Sequence, residues 1–233
     1  MIQCVVFDLD DTLYLERDYA LSGFKAVNHY LQKLGVEGFL EPAWSLFQAG
    51  KRKNIFNAAL DSINAPYDES LISTLVWVYR NHIPDIALLP DAKKVLSQLT
   101  GTYRLGLITD GFSVSQKSKI SSLGLDKVIG HIVVTDDLGS NREYWKPHIK
   151  AFLEISDFFS VPHSCCAYIG DNPIKDFLGG NKLGWLTVQV KREGRVHDDI
   201  EVAPEFRADY EIASLDELGS LLIKVGEYRW DRI

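Results

Sequence analysis

Residues 2–13 read Ile2-Gln3-Cys4-Val5-Val6-Phe7-Asp8-Leu9-Asp10-Asp11-Thr12-Leu13. Ile2–Phe7 is a short apolar run that stops at a carboxylate. A run that is apolar on both faces fits a parallel strand buried between two layers of helices. In an open parallel sheet, ligands bind outside the carboxyl ends of the strands. A first strand that ends in Asp8, with Asp10 and Asp11 just beyond, therefore makes the ends of the other strands the place to look for chemistry.

Those strands lie beyond Pro90, where helices and strands alternate. Asp91–Leu99 reads as a helix, Tyr103–Ile108 as a strand running into Thr109-Asp110-Gly111, and Val114–Leu123 as a helix stopped by Gly124. His131–Val134 is a strand, Pro147–Phe158 a helix with proline tolerated in its first turn, and Cys165–Ile169 a strand running into Gly170-Asp171. Ile174–Asn181 is a short helix, Trp185–Val190 and Tyr210–Ile212 are strands, and a helix from Ser214 closes the chain. This alternation predicts right-handed βαβ units, hence an α/β protein with a three-layer αβα, Rossmann-like core and a mainly parallel sheet. Between the first strand and Pro90 the rhythm is helical. Tyr19, Phe24, Val27, Tyr30, Leu31 and Leu34 mark one helix, stopped by Gly35, and Trp44–Phe47, Ile55–Ile63 and Leu71–Val78 mark three more. Residues 15–88 are thus expected to form an all-helical insert, with 1–14 and 89–233 as the core.

The charge is unevenly placed. The chain of 233 residues carries 25 Lys and Arg against 32 Asp and Glu. The insert holds 7 against 8 of these, so the acidity belongs to the α/β part. An acidic chain argues against a nucleic-acid partner. No apolar run approaches the ~18 residues of a membrane span, and the start meets Asp8 too early for a signal peptide. Cys4, Cys165 and Cys166 make no disulfide framework and read as small core residues in a reducing compartment. A cytoplasmic protein, monomer or homodimer, is expected.

Three strand ends are polar: Asp8, Thr109 and Asp171. If their strands are neighbours, they converge in one crevice together with Asp10 and with Asp176, five residues after Asp171. Carboxylates packed together hold a cation or protonate. Hard oxygen ligands with no His or Cys cluster favour Mg²⁺ over zinc. His29, His82, His131, His148, His163 and His197 show no metal-ligand spacing and read as surface or satisfied core residues.

The string Phe7-Asp8-Leu9-Asp10-Asp11-Thr12 resembles the first motif, DxDxT, of the haloacid dehalogenase superfamily. Thr109 in Ile108-Thr109-Asp110-Gly111 resembles the second, Lys146-Pro147 the third, and Gly170-Asp171-Asn172-Pro173-Ile174-Lys175-Asp176 the fourth, GDxxxxD. The motifs follow in order and span nearly the whole chain. The resemblance implies that Asp8 is the nucleophile, attacking phosphorus to give an aspartyl-phosphate. Asp10 would protonate the leaving alkoxide and then take a proton from water, its backbone carbonyl serving as a metal ligand. Thr12 would order the loop. Thr109 and the backbone of Asp110 would donate to phosphate oxygens, with Lys146 supplying fixed positive charge. Asp8 and Asp171 would hold Mg²⁺, with Asp176 completing the shell directly or through water. Asn141–Trp145 makes the approach to Lys146 longer and bulkier than usual, and Lys150 stands close by. Asp11 is expected to be solvated or to support the ligands.

The helical insert resembles the superfamily's cap, which excludes water and reads the leaving group. That implies a small phosphorylated metabolite, nucleotide or sugar phosphate, as substrate. Tyr14, Arg17 and Tyr19, near the start of the insert, are the specificity candidates; Lys51-Arg52-Lys53 reads as a solvated helix end, and the aromatic residues of the insert as packing. A phosphomutase of the same superfamily is the alternative. A signalling receiver module also uses an acidic pocket, a Thr and a Lys, but has no large insert after its first strand. Dehalogenation would leave Asp10 without its work on the alkoxide.

Overall fold

The computed structural model describes residues 1–196 and 200–228. The chain divides into two compact units, Met1–Glu16 with Ala87–Ile233, and Arg17–Ile86.

The larger unit is built on six parallel strands in the order β3-β2-β1-β4-β5-β6. They are β1 (Cys4–Phe7), β2 (Arg104–Thr109), β3 (His131–Val134), β4 (Cys166–Gly170), β5 (Leu186–Val190) and β6 (Tyr210–Ile212). The apolar run that ends at Asp8 thus lies at the centre of the sheet, between β2 and β4. Side chains alternate across a strand. Cys4 and Val6 of β1 join Ile108, Val133, Cys166 and Tyr168 in one core, closed by Phe152 and Ile155 of α7 (Lys150–Phe159) and Phe177 of α8 (Phe177–Leu183). The alternate set, Val5, Phe7, Leu107, Ala167 and Ile169, is equally buried, so the sheet is covered on both faces. The remaining helices of this unit are α5 (Pro90–Leu99), α6 (Ser113–Ser122) and α9 (Leu218–Tyr228).

Three helices start later than their sequence suggests. Pro147 lies outside α7, behind a cis Lys146–Pro147 peptide, in a run of turns where Trp145 N–H donates to Arg142 and His148 N–H to Trp145. Residues 172–176 are likewise a turn rather than the start of α8: Asn172 Oδ1 accepts from Ile174 N at 3.0 Å, and Asn172 O accepts from Asp176 N at 2.9 Å. An Asn that binds the backbone two residues on offers the chain an alternative to helix. At the C-terminal end, Ser214 and Glu217 form a capping box over a 3₁₀ turn, Leu215–Glu217, so α9 begins only at Leu218.

The unit Arg17–Ile86 is helical. It contains α1 (Glu16–Lys33) from its second residue, α2 (Leu40–Gln48), α3 (Ile55–Ser62) and α4 (Glu69–Asn81). The β-branched stretch of α4 is helical all the same; Asp68 caps it, accepting from Leu71 N at 2.7 Å. Its core is aromatic: Phe24 meets Phe47, Phe56 and Tyr79 at ring separations of 5.7–6.3 Å. Arg52 lies over the Phe47 ring and donates to Phe47 O, which makes it a helix-end residue. Among the described residues, no helix is long and apolar enough to cross a membrane.

Candidate active site

Register brings the polar strand ends together. Phe7 of β1 is level with Leu107 of β2 and Ile169 of β4. Asp8 therefore leaves the sheet beside Ile108 and Gly170, and Thr109 and Asp171 leave it one residue further on. Carboxylate oxygens of Asp8, Asp171 and Asp176, all buried, lie within 4.8 Å of one another. Lys146 enters the same pocket with its side chain fully buried, donating to Asp8 Oδ1 at 2.5 Å, Asp176 Oδ1 at 2.7 Å and Tyr168 OH at 2.9 Å. Lys150 does not enter; its ammonium donates to Leu138 O and lies over the Tyr144 ring. The approach to Lys146 is anchored on Asp110, whose Oδ1 accepts from Lys146 N at 3.1 Å and from Thr135 Oγ1 at 2.7 Å.

Asp176 is placed by the turn that delays α8. Its Oδ2 accepts from Asn172 N at 2.8 Å. A Cβ on Gly170 would stand 2.6 Å from that same oxygen, so the glycine of Gly170-Asp171 is the space the second carboxylate needs.

Asp10 faces a different set of partners. Its Oδ1 accepts from Lys119 Nζ at 2.7 Å and, through a short bond, from Tyr14 OH; its Oδ2 accepts from Gln116 Nε2 at 2.9 Å. Gln116 also donates to Thr109 Oγ1 at 2.8 Å and to Asp110 O. It lies so close to Gly111 (φ +135°) that a Cβ there would stand 2.8 Å from the amide nitrogen. Gln116 and Lys119 sit one turn apart on the buried face of α6. The motifs do not include them. The available signal was their i, i+3 spacing beside Ile120 on the helix that follows Thr109. Asp11 is buried rather than solvated. Its backbone is left-handed (φ +55°), and its carboxylate accepts from Glu16 N at 2.8 Å and Val196 N at 2.7 Å.

These surroundings set the charges. Burial pushes Asp8 up to about 6, against the pull of Lys146 and Lys175. Asp171 is raised well above the carboxylate range by burial and then by Asp176 and Asp8. Burial works the same way on Asp10 and Asp176 but loses: Lys119, Tyr14 and Gln116 hold Asp10 at about 2, and Lys146 and Lys175 hold Asp176 below its usual value. Lys175, half-buried in the 172–176 turn, is thus a second cation of the pocket.

The residues present fit a hard cation. Among the described residues, Asp8 Oδ2 and Asp171 Oδ2 are buried with no hydrogen-bond partner, an arrangement that is costly without a positive charge to face them. The donors are all oxygen, as Mg²⁺ prefers. Both carboxylate oxygens of Asp10 are taken by protein donors, which leaves its backbone carbonyl as the group able to join this set.

Of the three specificity candidates, Tyr14 is fully buried and spends its hydroxyl on Asp10. Within the helical unit, Tyr19 packs against Tyr79 and His82 at ring separations of 5.6 and 5.0 Å, a core position. Arg17 is half exposed, 3.9 Å from Asp18. His82 is satisfied by Tyr79 O and Ser22 Oγ, and His131 stacks on Phe158. His197 lies outside the described residues.

Residues 2–184 match the haloacid dehalogenase-like hydrolase family. The glyceraldehyde 3-phosphate phosphatase of Methanopyrus kandleri is 29% identical over 239 residues, covering 95% of this chain and 99% of its own. The enzyme of the same name from Pyrococcus abyssi is 32% identical over 200 residues, 82% of each chain. Among solved structures, a 2-haloacid dehalogenase from Pseudomonas syringae superposes with a TM-score of 0.64 at 25% identity, over 96% of this chain and 99% of its own.

Proposed function

The chain belongs to the haloacid dehalogenase-like hydrolase family, and we propose that it is a Mg²⁺-dependent phosphatase of a small phosphorylated metabolite, a sugar phosphate of about triose size, acting through an aspartyl-phosphate on Asp8. The observation that carries this reading is the state of Asp8. One oxygen is fixed on Lys146, and the other is buried, unpartnered and beside Asp171 and Asp176. The phosphatases of Methanopyrus kandleri and Pyrococcus abyssi support the size and class of substrate.

In this reading Asp8, Asp171 and the carbonyl of Asp10 hold the ion, with Asp176 in support. When bound, the ion neutralises the carboxylates and the phosphoryl oxygens. Asp8 attacks phosphorus, and the P–O bond to the sugar breaks as the new Asp8 O–P bond forms. Thr109 Oγ1 and the amide beyond Thr109 donate to the phosphoryl oxygens, and Lys146 holds Asp8 in line while balancing its charge. Asp10 is ionised in the free site, so it first takes up a proton carried in by the monoanionic phosphate ester. It passes that proton to the leaving oxygen as the P–O bond breaks, and then takes one from the water that opens the acyl-phosphate. Residues 15–88 take the part of the cap, with the half-exposed Arg17 as its specificity candidate. An alkoxide leaving group needs a proton as a halide does not, so a carboxylate two residues from the nucleophile, placed to relay one, favours phosphoryl transfer over dehalogenation.

The test is phosphate release from a panel of sugar phosphates and nucleotides, glyceraldehyde 3-phosphate among them, in Mg²⁺ and in excess EDTA, with Asp8→Asn alongside. Mg²⁺-dependent release that is lost in Asp8→Asn is expected. Full activity in EDTA, or wild-type rates in Asp8→Asn, would refute the reading.

A further inference from the structure

We propose that Gln116 and Lys119 of α6 are positioning residues for Asp10, and that they leave Oδ2, not Oδ1, as the oxygen that meets the leaving group. The proposal rests on the phosphatase reading above. Both side chains are buried, 1% and 5% exposed, and both point into the same carboxylate from one helix face.

The two oxygens are not equivalent. Oδ1 carries the Lys119 ammonium and the Tyr14 hydroxyl. Releasing Oδ1 would strand a buried cation, which is among the more expensive changes a protein interior can undergo. Among the described residues, Oδ2 accepts from Gln116 only. A Gln amide has two N–H groups, and Gln116 Nε2 faces three acceptors: Asp10 Oδ2, Thr109 Oγ1 and Asp110 O. When Oδ2 lets go, Gln116 still has an acceptor for each N–H. The arrangement thus has one fixed oxygen and one oxygen that can be released without leaving a donor unpaired. Through Thr109 and Asp110 the same amide ties Asp10 to the segment that receives the phosphoryl oxygens. Seating phosphate and aiming Asp10 are then one event.

Residues that work through Asp10 have a kinetic signature that a purely structural role lacks: they matter in proportion to the proton the leaving group needs. The experiment measures kcat and KM in Mg²⁺ for glyceraldehyde 3-phosphate, whose alkoxide needs protonation, and for p-nitrophenyl phosphate, whose phenolate does not. The enzymes are wild type, Lys119→Met, Asp10→Asn and the double variant. Lys119→Met should lose about 10²-fold in kcat on the sugar phosphate and under about 10-fold on the aryl phosphate, the size of a general-acid contribution, with KM little changed. In the Asp10→Asn background, Lys119→Met should cost nothing further on either substrate, because residues acting as a unit are non-additive. Equal losses on the two substrates, or a double variant slower than Asp10→Asn by the full Lys119 factor, would overturn the proposal. The double variant removes both partners of the buried pair, so the comparison with Asp10→Asn decides the matter even where Lys119→Met alone does not fold. A wild type that cleaves neither substrate would refute the phosphatase reading and this proposal with it; an active wild type with equal losses would refute only the positioning.

Discussion

Asp8 and Asp10 stand two residues apart and have opposite surroundings. Asp8 has one cation in contact and one bare oxygen, and burial lifts it to about 6. Asp10 has three donors and sits at about 2. The difference separates two kinds of work. A carboxylate with a bare buried oxygen is free to bond to phosphorus or to a cation, while one held by donors at fixed distances can pass protons without leaving its place. Asp8→Asn should therefore abolish phosphate release. Asp10→Asn should slow it by ~10²–10⁴, the usual weight of general acid–base catalysis, and by more on alkyl than on aryl phosphates. Parallel assays on the two leaving groups read this directly; equal slowing on both would remove Asp10 from proton transfer.

At the scale of elements, the site is made by where strands stop and how late helices start. The stop of β1 at Asp8 was legible because a both-faces-apolar run has few other readings. The late starts of α7 and α8 were not, because Pro147 and Ile174 suit a helix's first turn. What overrides them is the need to bring Lys146 Nζ and Asp176 Oδ1 to 2.7 Å of each other, a tertiary demand invisible in local propensity. Gln116 and Lys119 escaped for a related reason. A polar residue on a helix reads as solvated until the topology shows which face of α6 turns inward. Gly170 gives a test at this scale. Asp176 cannot yield, since Lys146 holds one of its oxygens and Asn172 N the other. The Cβ of Gly170→Ala, 2.6 Å from Oδ2, should cost about 1–3 kcal/mol, as overpacking does. It should also raise the Mg²⁺ concentration needed for half-maximal activity. Melting curves and a Mg²⁺ titration measure the two effects; an unchanged Mg²⁺ requirement would detach the Asp176 carboxylate from the ion site.

Behind the loop that carries Asp10, the larger unit has a further anchor, in which Arg192 Nε donates to Thr12 O at 2.7 Å. Asp91, in the first turn of α5, accepts from Arg192 at 2.9 and 3.1 Å, from Ser214 Oγ and from Leu215 N. It ties α5, the segment after β5 and the start of the C-terminal helix together, and these bonds outweigh burial to lower its carboxyl. Asp91→Ala should cost about 1–3 kcal/mol by leaving the largely buried Arg192 under-satisfied. Chemical denaturation checks it, and a loss under ~0.5 kcal/mol would mean that water replaces the carboxylate.

For the whole molecule, the concentration of acid in the α/β part has a thermodynamic consequence that depends on the ion. Asp8, at about 6, and Asp171, also raised, bind more protons folded than unfolded. Their contribution is complete below the unfolded value near 4 and is lost as pH rises through the folded values. Glu16, raised to about 7 by burial and by Asp10, has the same sign. Asp10, Asp176 and Asp91, all lowered, contribute stability above the unfolded value and lose it as pH falls. In EDTA the two sets should place the stability maximum on the acid side of pH 6. A cation that binds only the folded cluster stabilises by mass action and should move the maximum towards neutrality. Asp171→Asn separates this account from a simple scaffold role. It removes one charge from the trio and keeps the side chain's shape, while Gln189 still donates to the residue's backbone carbonyl. At pH 7 the variant should be inactive, melt above wild type in EDTA, and gain little from Mg²⁺, whereas wild type gains several degrees. Melting curves of the two proteins, with EDTA and with Mg²⁺, are the measurement. A variant less stable than wild type in EDTA would mean that the Asp171 carboxylate holds the 170–176 turn more than it repels Asp8 and Asp176, and the sign of the acidic-pocket argument would be reversed.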